Sequence, residues 1–183
     1  MYGTVWGGLA CPCAGPSPFC DTLFPAATGM TSKQQLDSFI DKFTPEMAAQ
    51  TRWAFAWMRR RFPAATVLVY DNYNALAIGF GPSEKTSDAV FSLAVFPQWV
   101  SLFFLQGAAL PDPHRRLTGG GKQARHIKLE PLELLEDPQV LSLMDAETAR
   151  LGLSNCSGRG KIVIKSISAK QRPRRPAAAG MRR

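Results

Sequence analysis

The side chains best equipped for chemistry fall in two clusters. Tyr70-Asp71-Asn72-Tyr73 gathers two phenols, a carboxylate and an amide into four residues. Asn and Asp tolerate turn dihedrals, so these groups sit where a hairpin reverses and can rim a pocket; they are equally ordinary chemistry for a turn at a sheet edge. Gly119-Gly120-Gly121-Lys122, followed by Arg125-His126, joins permissive backbone to cations. Successive glycine N–H groups can form an anion-binding nest, with Lys122 and Arg125 adding charge, or the glycines can simply permit a tight connection. A nucleotide phosphate loop is excluded: Gln123 stands where that motif requires Ser or Thr, and a strand follows instead of a helix. If both clusters lie at one end of the sheet, Tyr70, Asp71, Asn72, Tyr73, Gly119, Gly121, Lys122 and Arg125 converge on a small anionic or aromatic ligand.

The two histidines, His114 and His126, have no serine or cysteine beside them with an obvious partner acid, as nucleophilic catalysis would require. Cys156 lies between Asn155 and Ser157 in an expected loop, and its pairing with His126 reads as chance. Asp112 precedes Pro113 and is expected to hold a turn by accepting backbone N–H bonds. Cys11-Pro12-Cys13 with Cys20 lacks the second spaced pair or histidine that a thiolate metal site needs. The reading is therefore of a noncatalytic module whose sequence requires no cofactor.

The elements that must position these groups are legible from Met30 onward. Thr31 or Ser32 caps a helix with Leu36, Phe39, Ile40 and Phe43 at i, i+3, i+4 and i+7. Thr44-Pro45-Glu46 opens a second helix to about Arg61, with Met47, Thr51, Ala54 and Met58 on one side and three arginines in its last turn. Four strands are expected, at about 66–71, 74–80, 88–96 and 99–106, the third and fourth apolar on both faces and hence central, with Trp99 and Phe103 facing the core. A short strand fits Arg125 to Leu129. Pro138 starts a last helix with Val140, Leu141, Met144 and Leu151 as its stripe. Lys161 to Ile167 alternates as an edge strand guarded by lysines. The class is α+β: two N-terminal helices, an antiparallel sheet of about five to six strands, and one C-terminal helix.

Charge and composition divide the 183 residues into three parts. Residues 1–29 contribute −1 and are rich in glycine and proline, an extension expected to be disordered, with Met30 the natural start. Residues 170–183 contribute +6 and are expected to form a basic disordered tail able to hold nucleic acid weakly through phosphates. Of the total +8, this leaves +3 for the domain itself, 30–169. Three of the four cysteines lie in the first twenty residues, which fits a reducing cytoplasm better than a disulfide-built fold. Apolar runs break within about ten residues, too short to cross a bilayer as a helix.

Taken in order, Tyr70-Asp71-Asn72-Tyr73, Phe96-Pro97-Gln98-Trp99-Val100, Leu110-Pro111-Asp112-Pro113 and Gly119-Gly120-Gly121-Lys122-Gln123-Ala124-Arg125-His126-Ile127 resemble the YdhG-like family of bacterial domains of unknown function. The resemblance covers roughly Ser32 to Leu151. It implies a sandwich of a curved antiparallel sheet against helices, and offers no catalytic residues to carry over. Some relatives are described as frataxin-like iron chaperones, in which an acidic first helix supplies oxygen ligands. Asp37 and Asp41, one turn apart, are the corresponding metal candidates here, in a patch diluted by Lys33 and Lys42. The leading expectation is a binding module for a small anion or a protein partner. An intracellular iron chaperone is the alternative, and nucleic-acid association through 170–183 is third.

Overall fold

The computed structural model describes residues 29–153 and 157–175. The expectations for residues 1–28, Cys156 and 176–183, including Cys11, Cys13 and Cys20, lie outside them. Helix α1 (Ser32–Ile40) starts at a capping box: Thr31 Oγ1 accepts the Gln34 N–H, and Gln34 Oε1 accepts the Thr31 N–H at 2.8 Å. Helix α2 (Pro45–Arg61) starts at Thr44, whose hydroxyl accepts the Met47 N–H, with Pro45 at N1, where no N–H is needed. Helix α3 (Pro138–Leu151) is capped by Asp137 and stopped by Gly152 at φ 70°, a left-handed conformation suited to glycine.

The six strands are β1 (Thr66–Asp71), β2 (Leu76–Gly81), β3 (Phe91–Val95), β4 (Val100–Phe104), β5 (Arg125–Lys128) and β6 (Ile162–Ile167). They form one sheet in the order β5-β4-β3-β2-β1-β6. The first five make the expected meander, each antiparallel to its neighbour in the sheet. The sheet as a whole is mixed, which corrects the antiparallel expectation: β6 pairs parallel with β1, from Val67↔Ile162 to Asp71↔Ile167. The direction is imposed from outside the strand. Gly160 N–H donates to Pro63 O, and Arg59 bonds the carbonyls of Ala65 and Gly160. These bonds fix the entry to β6 beside the start of β1, so the two run the same way.

Alternate strand residues supply the core. Val67, Val69, Ile78, Phe80, Leu93 and Leu102 are fully buried and join Leu36, Ile40, Ala54 and Met58 of the helices in one apolar cluster. Phe91 bridges it, stacked on Phe62 at 5.3 Å and edge-on to Phe104 at 5.4 Å. Trp99 and Phe103 depart from expectation: both are only half-buried, because the period of two turns them away from Val100, Leu102 and Phe104. Among the described residues no helix is long and apolar enough to cross a membrane.

The entry to β6 leaves no room for a side chain. A Cβ on Gly160 would lie 1.8 Å from the Ala65 carbonyl oxygen, whereas one on Gly79 would meet nothing closer than 3.5 Å. Gly160→Ala is expected to cost about 1–3 kcal/mol in urea unfolding through enforced backbone displacement, and Gly79→Ala much less.

Candidate functional site

One end of the sandwich gathers the α1–α2 junction, the β1–β2 turn, the β3–β4 turn, the chain leaving β5 and the segment following β6. Asp71 is its centre. The alternation that buries Val67 and Val69 also turns Asp71 inward, and it is 1% exposed. A carboxylate there must be paired and hydrogen-bonded. Lys42 Nζ reaches Oδ2 at 2.5 Å, Gln171 Nε2 reaches the same oxygen at 2.6 Å, and Arg174 Nη2 donates to Oδ1 at 3.1 Å. Lys42 also donates to Gln171 Oε1 at 2.9 Å, closing the network.

Residues 168–175 therefore form a strap across this end, which corrects the expectation that the disordered tail begins at 170. Ser168 N–H donates to Asp71 O and Arg172 N–H to Tyr73 O, extending the edge pairing of β6 past its last strand residue. Arg174 is 4% exposed; its Nη2 also donates to Asn72 O, and its guanidinium carbon lies 5.4 Å from the centroid of the Phe43 ring. The Nε and Nη1 of Arg174 are buried without a hydrogen-bond partner among the described residues. Arg175 donates to Phe43 O and Asp41 O at 2.9 Å, placing a cation at the C-terminal end of α1, where the helix dipole favours one. Composition gave no sign of this packing, because an Arg/Pro-rich stretch lacks the apolar residues by which ordered segments are normally read.

The strap walls a groove of about 320 Å³ between Arg172, Pro173 and Arg175 on one side and Pro97, Gln98 and Trp99 on the other. Trp99 stacks on Phe96 at 5.1 Å, and Lys128 Nζ lies 5.0 Å from the centroid of its ring. The side chain of Arg172 is exposed and has no hydrogen-bond or ion-pair partner among the described residues. A second cleft of about 600 Å³ uses the other side of the same Pro97–Trp99 turn.

No family model, curated protein or solved structure matches this chain. The two sequence clusters do not meet. Arg125 pairs with Phe104, Phe104 with Phe91, Phe91 with Phe80 and Phe80 with Val67. Arg125 thus lies four strands from β1, about 19 Å across the sheet, and about 13 Å along it from the level of Asp71. No side chain closes that gap.

At the far end the glycine loop is engaged with itself. Gly119 adopts φ 114°, Thr118 pairs with His126, and Arg125 Nη1 donates to the carbonyls of Gly121 and Ala124. Lys122 is exposed, without a partner among the described residues. Asp112 holds its turn as expected, accepting the Arg116 and Leu117 N–H groups. His126 stacks on Phe103 at 4.9 Å, and His114 lines a separate groove with Pro113 and Ser142. Also at that end, the hydroxyls of Ser83 and Ser87 hold the Asp88 carboxyl below the ordinary range, and Lys161 does the same for Glu84.

The remaining candidates divide. Tyr70 leaves the cluster, its hydroxyl bonded to Thr86 Oγ1 at 2.6 Å. Asp71 and Asn72 hold the strap, while Tyr73 is 53% exposed beside it. Asp37 is paired with Lys33 at 2.6 Å and Asp41 with Arg52. Among the described residues no group of three or more His, Cys, Asp or Glu is placed to hold a metal ion.

Replacing Asp71 strips the counter-charge from a buried arginine that cannot reach water. Asp71→Ala is expected to destabilise the chain by about 3–5 kcal/mol. Arg174→Ala is expected to cost less, since Lys42 and Gln171 still serve the carboxylate; urea denaturation of both variants measures the difference.

Proposed function

We propose that this chain is a noncatalytic binding module whose site is the strap end of the sheet, where Arg172 receives an anionic group beside Trp99. The observation that carries this reading is the Arg172 side chain, without a partner among the described residues, in a groove whose wall is held by buried hydrogen bonds. A guanidinium presents a planar fork of donors suited to carboxylate or phosphate oxygens. A fixed strap also spares a ligand the ordering cost that a loose tail would impose.

The same geometry alters what the basic tail offers to nucleic acid. Arg174 is committed to Asp71 and Arg175 to the end of α1, so of the cations in 170–175 only Lys170 and Arg172 remain to meet phosphates. Asp37 and Asp41, each already facing a cation, lend little to iron binding. Membership of the YdhG-like family, and action in the cytoplasm, belong to this proposal through the sequence motifs and the cysteine distribution.

Titrating the full-length chain with pyrophosphate by calorimetry tests the reading. Saturable binding is expected, weakened about tenfold or more in Arg172→Ala through loss of a charge-assisted hydrogen bond, and unchanged in Lys122→Ala. Absence of saturable heat, or equal affinity in Arg172→Ala, would contradict it.

A further inference from the structure

The sign of the charge reverses across Trp99. On the strap side stand Arg172 and Arg175. On the other side the cleft of about 600 Å³ is lined by Glu46, Glu130 and Glu133, with the amide of Gln50 among them. Glu130 is paired with Lys128 at 2.8 Å, but Glu46 and Glu133 are exposed and have no ion pair among the described residues. The two clefts share the Pro97–Gln98–Trp99 turn as a common wall.

We infer that the occupant of this end is a segment of a partner protein carrying acidic residues and, a few positions away, basic ones, laid across the Trp99 turn. The inference rests on the binding-module reading and names the partner for the same site. A long polyanion is repelled by the glutamates, and a polycation by the arginines. An occupant with both charges is attracted on each side, and the mismatch rejects wrong partners. Clefts of about 320 and 600 Å³ exceed what a free amino acid fills, whereas an extended chain advances about 3.3 Å per residue and bridges a three-residue turn. Gln98 and Gln50 offer amide donors and acceptors to such a backbone, and Trp99 with its proline neighbour supplies the apolar contact that interfaces favour.

The test is fluorescence anisotropy on the full-length chain with three labelled probes: acetyl-Glu-Glu-Gly-Gly-Lys-Lys-amide, its acidic half Glu-Glu-Gly-Gly, and its basic half Gly-Gly-Lys-Lys. The joined peptide is expected to bind roughly tenfold or more tightly than the acidic half, because the second engagement is intramolecular. Glu133→Lys, or the milder Glu46→Gln should the first disturb folding, is expected to remove much of that gain without weakening the acidic half. Arg172→Glu is expected to weaken both. A joined peptide no tighter than its acidic half, or a gain that survives both glutamate changes, overturns the dipolar partner while leaving the anionic site standing. An acidic half that fails to bind, or binds regardless of Arg172→Glu, overturns the site itself.

Discussion

The buried carboxylate of Asp71 is the constraint on which this end of the molecule depends. An isolated ion at such depth costs several kcal/mol, and only good geometry with further hydrogen bonds offsets it. The chain supplies that compensation from two distant places, Lys42 after the first helix and Gln171 with Arg174 after the last strand. Everything else at this end follows. The strap is fixed because its side chains complete the shell of Asp71. Its backbone pairs with Asp71 and Tyr73, and Arg172 is thereby held in the wall of a groove opposite Trp99.

The two ends of the sheet differ in how much of their polar chemistry is already spent. At the far end Arg125 caps its own loop, Asp112 its own turn, and the buried Glu147 is held by two bonds from Arg150. At the strap end Arg172, Glu46 and Glu133 are exposed and have no ion pair among the described residues. A surface that sets two signs of charge on either side of one aromatic turn is suited to choosing among partners more than to binding any one of them tightly.

Much of the architecture was legible. The caps at Thr31 and Thr44, proline at N1 of α2 and α3, and the short apolar runs of β1 to β4 are local signals, and each produced its element. The parallel pairing of β6 was not legible, since an alternating strand reads the same in either direction and the contacts that tie its entry to the start of β1 come from elsewhere in the chain. The candidate site was half legible. Asp71 and Asn72 carry the polarity expected of a pocket rim, but in the structure they hold the strap. The glycine loop was joined to them by residue type, and the register separates the two. One signal went unused: with Val67 and Val69 at i−4 and i−2, Asp71 falls on the core face, and a core carboxylate demands cations from elsewhere in the chain. One of them is Arg174, in a stretch whose Arg/Pro-rich composition concealed the packing of residues 170–175.

The most direct measurement is amide hydrogen exchange at Arg172, whose N–H donates to Tyr73 O, in the native chain and in Asp71→Ala. The account predicts protection in the native chain, and its loss in the variant while amides of β2 and β3 stay protected. An Arg172 amide exchanging at the rate of an unstructured peptide in the native chain would contradict the latched strap and the site built on it.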